Sequence, residues 1–123
     1  MSRGSVLIID DEPDVAAYQG RVLSDHGWRV RIASSGDLGL ALALQEIPDV
    51  IILDLMMPEI DGFSVLDSLK DSPETASIPV IVVTAKELTT EDLHRLNGRV
   101  RTYMQKGEVM DNELLEEVKA QVG

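Results

Sequence analysis

The chain has 123 residues, the size of one domain, and 44% of them are hydrophobic, enough for a single core. The absence of cysteine excludes a disulfide framework and thiolate metal sites. A net charge of −11, from 22 acidic and 11 basic residues, argues against direct binding to nucleic acid or to an anionic membrane.

"MSRGS" is followed by only four apolar residues, Val6 to Ile9, so neither a signal peptide nor a membrane span is read, and the cytoplasm is the expected compartment. The run SVLIID (5–10) reads as a buried strand and delivers the chain to Asp10-Asp11. Pro13, a good first-turn residue, opens a helix over 13–26 with Val15, Tyr18 or Gln19, and Val22 on one face. WRVRIA (28–33) alternates and reads as an edge strand with one wetter face. DLGLALALQEI (37–47) carries leucines at 38, 40, 42 and 44, the period of a strand. Leu and Ala nevertheless favour helix, β-branched residues are absent until Ile47, and Ser35 can cap, so the segment is read as helix. DVIILD (49–54) is another buried strand, and it ends on Asp54. A helix over 62–71 leads to the strand IPVIVVTA (78–85), which holds Thr84 near its end. The helix over 89–97 opens on TTED, a capping pattern, and Asn97-Gly98 keeps it short. RTYMQK (101–106) is the fifth strand and ends on Lys106. The last helix, 110–122, places Leu114, Leu115, Val118 and Val122 at helical spacing, with Asp111 or Asn112 as its cap.

Strands alternating with helices give a (βα)5 unit, a doubly wound parallel sheet in one domain over 1–123. Ligands of such sheets bind beyond the carboxyl ends of the strands, at a switch point. With strand order 2-1-3-4-5, the first and third strands are neighbours at about 5 Å. Asp10, Asp11 and Asp54 then meet at one spot, with Thr84 and Lys106 beside them. Burying an unpaired charge is costly, and three close carboxylates cannot all stay ionised without a cation. Hard oxygen ligands suit Mg²⁺ or Mn²⁺, while a lysine and a threonine suit a phosphoryl group. Together these groups suggest an aspartyl-phosphate site. Taken singly, Asp10 or Asp11 reads as a helix cap, Thr84 as a β-former, Lys106 as a solvated lysine and Met56-Met57 as loop packing. His26 and His94 lack metal-ligand spacing and read as surface residues.

Asp10-Asp11 after the first strand, Asp54 in DLMMPEIDG, Thr84-Ala85 and Lys106 resemble, in order and spacing, the receiver domain of two-component response regulators. The separations are 43 residues from Asp11 to Asp54, 30 from Asp54 to Thr84 and 22 from Thr84 to Lys106. The resemblance covers nearly the whole chain and implies a flavodoxin-like fold. It implies that Asp54 is the phosphoacceptor, and that Asp11, Asp54 and the Met56 main-chain carbonyl hold Mg²⁺, with Asp10 acting mainly through water. Thr84, the Ala85 amide and Lys106 would hold the phosphoryl oxygens, and Pro58 and Gly62 would shape the loop after the third strand. Tyr103 matches the aromatic that changes rotamer on activation. The implied donor is a phosphohistidine on a sensor histidine kinase or histidine phosphotransfer domain. The implied role is a signalling switch controlling a partner or output domain, not a turnover enzyme. TAKELTTEDLHRLNGRV further resembles receivers of hybrid sensor kinases.

There is one departure from the family pattern. Receivers usually follow the lysine with proline, often in a cis bond, whereas here Gly107 follows. A cis bond without proline costs roughly 2.5–4 kcal/mol, so Lys106-Gly107 is expected to be trans, with a differently shaped loop to the last helix. Three other classes fit less well. A haloacid dehalogenase-type hydrolase needs a second aspartate where Met56 stands. A nucleotide-binding module would want a Gly-rich first turn, which here reads IDDEPD. A degenerate receiver acting as a binding module would lack an acidic or lysine position, and none is missing.

Overall fold

The three most apolar runs of the chain become the three central strands of one parallel sheet. The computed structural model describes residues 4–57, 61–107 and 111–122. β1 (Ser5–Ile9), β3 (Val50–Leu53) and β4 (Val80–Thr84) are buried along their whole length. β2 (Arg29–Ala33) and β5 (Thr102–Gln105) are the partly exposed edges, in the order β2-β1-β3-β4-β5. The helices between and after them are α1 (Pro13–Asp25), α2 (Gly36–Gln45), α3 (Gly62–Asp71), α4 (Thr90–Leu96) and α5 (Asp111–Val122).

Alternate strand residues feed two cores, because successive side chains leave a strand on opposite faces. Leu7, Ile9, Ile51, Leu53, Val80 and Val82 pack with Ala43 of α2 and Phe63, Leu66 and Leu69 of α3. Val6, Ile8, Val50, Ile52, Ile81 and Val83 pack with Ala16 and Leu23 of α1 and Leu114 and Val118 of α5. The central strands therefore read as continuous hydrophobic runs rather than alternating ones.

Two helices present faces other than their large residues suggest. α2 buries Gly36, Gly39 and Ala43, while Leu38 and Leu44 are exposed. A Cβ on Gly39 would lie 2.6 Å from Ile9, so the helix lies on β1 through its small residues. Ser35 caps it, its hydroxyl accepting from the Leu38 amide at 3.2 Å. α1 buries Ala16, Gln19, Gly20 and Leu23; of the face expected through Val15, Tyr18 or Gln19, and Val22, Gln19 is inside, Val15 and Val22 are only partly buried and Tyr18 is exposed. Here too a glycine sets the approach: a Cβ on Gly20 would meet Val30 and Ile32 of β2 at 3.3 Å. α4 opens on the expected capping box between Thr89 and Asp92 and ends at Leu96, before Gly98 at φ +76°. α5 begins at Asp111, so Asp111 and Asn112, the expected caps, are instead its first two helical residues; Pro58 of the loop after β3 lies outside the described residues, so its loop role is not described.

The sheet ladder runs one residue past the strands. The Asp10 amide donates to Ala33 O at 3.0 Å, the Asp54 amide to Ile9 O at 3.0 Å, and the Lys106 amide to Thr84 O at 2.8 Å. These bonds hold Asp10, Asp54, Thr84 and Lys106 at one edge of the sheet.

Candidate functional site

Asp10 and Asp54 are built alike. Each follows a buried strand, and each gives one oxygen to the amide two residues on, a turn that short acidic side chains favour. Asp10 Oδ1 accepts from the Glu12 amide at 2.9 Å, and Asp54 Oδ1 accepts from the Met56 amide at 3.1 Å. The other oxygen of each faces Lys106. The Lys106 ammonium lies 2.9 Å from Asp10 Oδ2, 3.0 Å from Asp54 Oδ2 and 2.7 Å from Glu12 Oε1. The side chains of Asp54, Asp10 and Lys106 are 1%, 3% and 9% exposed, whereas Glu12 is 54% exposed.

Thr84 is buried at the end of β4, and its hydroxyl accepts from the Lys86 amide at 3.2 Å. A hydroxyl that accepts still has its own hydrogen to donate. Gly62 fixes where α3 begins. Its amide donates to Leu55 O at 3.0 Å, and a Cβ there would lie 2.4 Å from Leu55 Cα and 2.5 Å from Asp54 O. Only glycine lets the backbone come that close behind Asp54. No cis peptide bond occurs among the described residues, so Lys106-Gly107 is trans. Gly107 stands at φ +85°, a conformation closed to proline, so the chain turns here by a route the usual residue could not take.

Of the residues expected at the site, the structure brings Asp10, Asp54 and Lys106 together and sets Thr84 at the end of β4, the strand beside β3. Asp11 stands apart from this cluster, and Glu12 joins it. The carboxylates that converge are those of Asp10, Glu12 and Asp54, each offering an oxygen within 4.8 Å of the others; Asp11, partly buried, is not in that group. Met56 contributes its amide to Asp54 while its side chain is exposed, and only Met57 of the pair packs into the core. Tyr103 is half-exposed on β5, beside Leu93 and His94 of α4. His26 and His94 are exposed, as expected, with the His26 ring bonded to Val22 O at 2.9 Å.

Burial raises the pKa of Asp10 against the lowering pull of Lys106 and of the Glu12 amide. Burial would lower that of Lys106, but its hydrogen bonds to Glu12, Asp10 and Asp54 outweigh burial and raise it. Three carboxylates thus face one ammonium. All the side-chain donors are hard oxygens, which fit a hard divalent cation. The sign for stability follows from Asp10. An acid whose pKa is raised by folding contributes stability below its unfolded value near 3.8, and loses it as pH rises through the folded value. At pH 7, without metal, ionised Asp10 costs stability. Asp10→Asn keeps an oxygen for the Glu12 amide and should raise the metal-free Tm by a few degrees at pH 7. That gain should vanish near pH 4; thermal unfolding at both pH values checks it, and a gain unchanged at pH 4 would refute the assignment.

A family model described as the response regulator receiver domain matches residues 6–119. The chain is 37% identical over 115 residues to Protein PilH of Pseudomonas aeruginosa, covering 94% of each. It is 34% identical over 102 residues to the response regulator PleD of Caulobacter vibrioides, covering 82% of this chain but 22% of PleD. Among solved structures, the chemotaxis protein CheY4 of Vibrio cholerae matches with a TM-score of 0.87 at 25% identity, covering 98% of both chains.

Proposed function

The chain belongs to the response regulator receiver family, and we propose that within it Asp54 is the phosphoacceptor. Its role is that of a phosphoacceptor signalling domain of two-component systems. The observation that carries the Asp54 assignment is the convergence of Asp54 Oδ2, Asp10 Oδ2 and the Lys106 ammonium at the carboxyl edge of the sheet, with Thr84 at the end of the neighbouring strand. In the transfer, an Asp54 carboxylate oxygen forms the new bond to phosphorus. The bond from phosphorus to the donor's imidazole nitrogen breaks, and its electron pair leaves with the imidazole. Lys106 supplies point charge, and Thr84 a hydrogen bond, to the oxygens of the incoming group.

Mg²⁺, with Mn²⁺ as a substitute, would be held by Asp10, Asp11, Asp54 and the Met56 carbonyl; when bound it neutralises charge on the phosphoryl oxygens. The donor is a sensor histidine kinase or a histidine phosphotransfer domain, and a downstream partner or output domain reads the change. The single domain over 1–123 carries out no chemistry beyond its own phosphorylation and dephosphorylation. Its acidity speaks against direct contact with nucleic acid. Among the described residues no helix is long and apolar enough to cross a membrane, and the setting proposed is the cytoplasm.

Incubation with acetyl phosphate and Mg²⁺ should add one phosphoryl group by intact mass, on the peptide that contains Asp54. Undiminished labelling in excess EDTA, or labelling mapped to another residue, refutes the proposal.

A further inference from the structure

Glu12 occupies an unusual place. It is the N-cap residue of α1, where a side chain normally accepts from the first free amides of the helix. Glu12 makes no such bond. Its side chain reaches instead to a residue 94 positions away in the chain, and its 2.7 Å contact is the shortest of the three on Lys106. A lysine ammonium has three hydrogens, and three carboxylates surround this one.

The three contacts differ in how easily they break. Asp10 and Asp54 are almost fully buried and tied by their other oxygens to backbone amides, so neither can withdraw into water. Glu12 is half-exposed and can. From this juxtaposition we infer that Glu12 is a positioning residue, a latch that holds Lys106 in the unphosphorylated protein and lets it go to the phosphoryl group. The inference rests on the phosphoacceptor reading of Asp54. When Asp10 and Asp54 turn their oxygens to a cation, Glu12 alone still offers Lys106 a counter-charge. When Asp54 gains the phosphoryl group, about −1.5 to −2 charge arrives beside Lys106. That charge draws the ammonium across, and Glu12 is left in water at little cost.

The test compares Glu12→Gln, which removes the charge, with Glu12→Asp, which keeps the charge but falls short of Lys106. The first readout is acylation of Lys106 by a small amine-reactive ester in the metal-free protein, followed by peptide mass analysis. The second is the affinity for beryllofluoride, a phosphoryl mimic, at saturating Mg²⁺. A half-exposed ion pair of this kind supports a change of roughly two- to fivefold. Both variants should be acylated faster, and bind beryllofluoride more tightly, by that factor, while Mg²⁺ affinity without the mimic stays near that of the wild type. If Glu12→Gln changes the readouts and Glu12→Asp does not, the effect is one of distant charge and the latch is overturned. It is equally overturned if both match the wild type. A large loss of Mg²⁺ affinity in Glu12→Gln would make Glu12 a metal ligand, again against the latch. Failure of the wild type to label on Asp54 would sink the phosphoacceptor reading instead, and the acylation result, which needs no phosphoryl group, would still judge the contact.

Discussion

Asp54→Asn is expected to reduce phosphoryl labelling by acetyl phosphate to background while leaving the protein folded. The residue follows β3, which lies between β1 and β4. Its side chain is buried, and its amide bond to Ile9 O does not depend on side-chain identity. Asparagine keeps a carbonyl oxygen at the position that accepts from the Met56 amide at 3.1 Å, so the local turn survives. What it puts in place of the other oxygen is an amide nitrogen, which has no free electron pair with which to attack phosphorus. That nitrogen also turns a donor toward the Lys106 ammonium, where the wild type has an acceptor at 3.0 Å. Lys106 then relies on Asp10 and Glu12. Intact mass after acetyl phosphate treatment, alongside a thermal melt, separates the two consequences. Labelling at the wild-type level in a folded Asp54→Asn protein would move the acceptor elsewhere.

The parts of this site that were legible in the sequence are those that violate a local rule. Val50 to Leu53 is a run that should continue apolar, and Asp54 stops it; Ser5 to Ile9 stops the same way at Asp10. A charge at the end of a buried strand has few structural uses, so its chemistry shows through. Thr84 and Lys106 are ordinary alone and were found by their place in the βα order. Glu12 was missed because Asp-Glu-Pro looks like a plain helix start. Side-chain direction at an N-cap is set by the loop, and no periodicity encodes it. The one available signal was charge: a third consecutive acid beside an already acidic site needs a cation, and Lys106 was the cation already assigned there. The helix faces show the complementary limit. In α2 the leucines at 38, 40, 42 and 44 carry strand period and point in several directions, while the helical signal lies in Gly36, Gly39 and Ala43. Large residues draw the eye, but close packing against a sheet is set by where side chains are missing. The same reason turned the face of α1 toward Ala16 and Gly20.

Lys106→Met should destabilise the metal-free protein more than any single carboxylate change in the site. Methionine fills much of the same space, so the loss is one of charge rather than volume. It leaves Asp10, Asp54 and Glu12 within reach of one another without their ammonium. Removing one partner from a buried ionic group costs roughly 3–5 kcal/mol. Two reliefs bring the expected cost toward the lower end of that range. Glu12 can move into water, and Asp10, already pushed up by burial, can take a proton. The pH window follows from both groups. The Lys106 pKa is raised from 10.5 in the folded protein, so its stabilising contribution is fully present at neutral pH and is lost only as pH rises through the folded value. The deficit of the variant should therefore be full at pH 7 and should shrink as pH falls and Asp10 takes a proton. Mg²⁺ should act in the opposite sense to the mutation. A ligand that binds only the folded state stabilises it in proportion to the logarithm of concentration over Kd, and in Lys106→Met the cation no longer competes with an ammonium for Asp10 and Asp54. Millimolar Mg²⁺ should thus raise the Tm of the variant by more than it raises that of the wild type, while labelling by acetyl phosphate falls because the group proposed to meet the phosphoryl oxygens is gone. Melts at pH 7 with and without Mg²⁺ decide the matter. An equal Mg²⁺ shift in both proteins would mean that Lys106 does not stand where the cation binds, and a wild-type Tm without metal would mean that the three contacts contribute nothing.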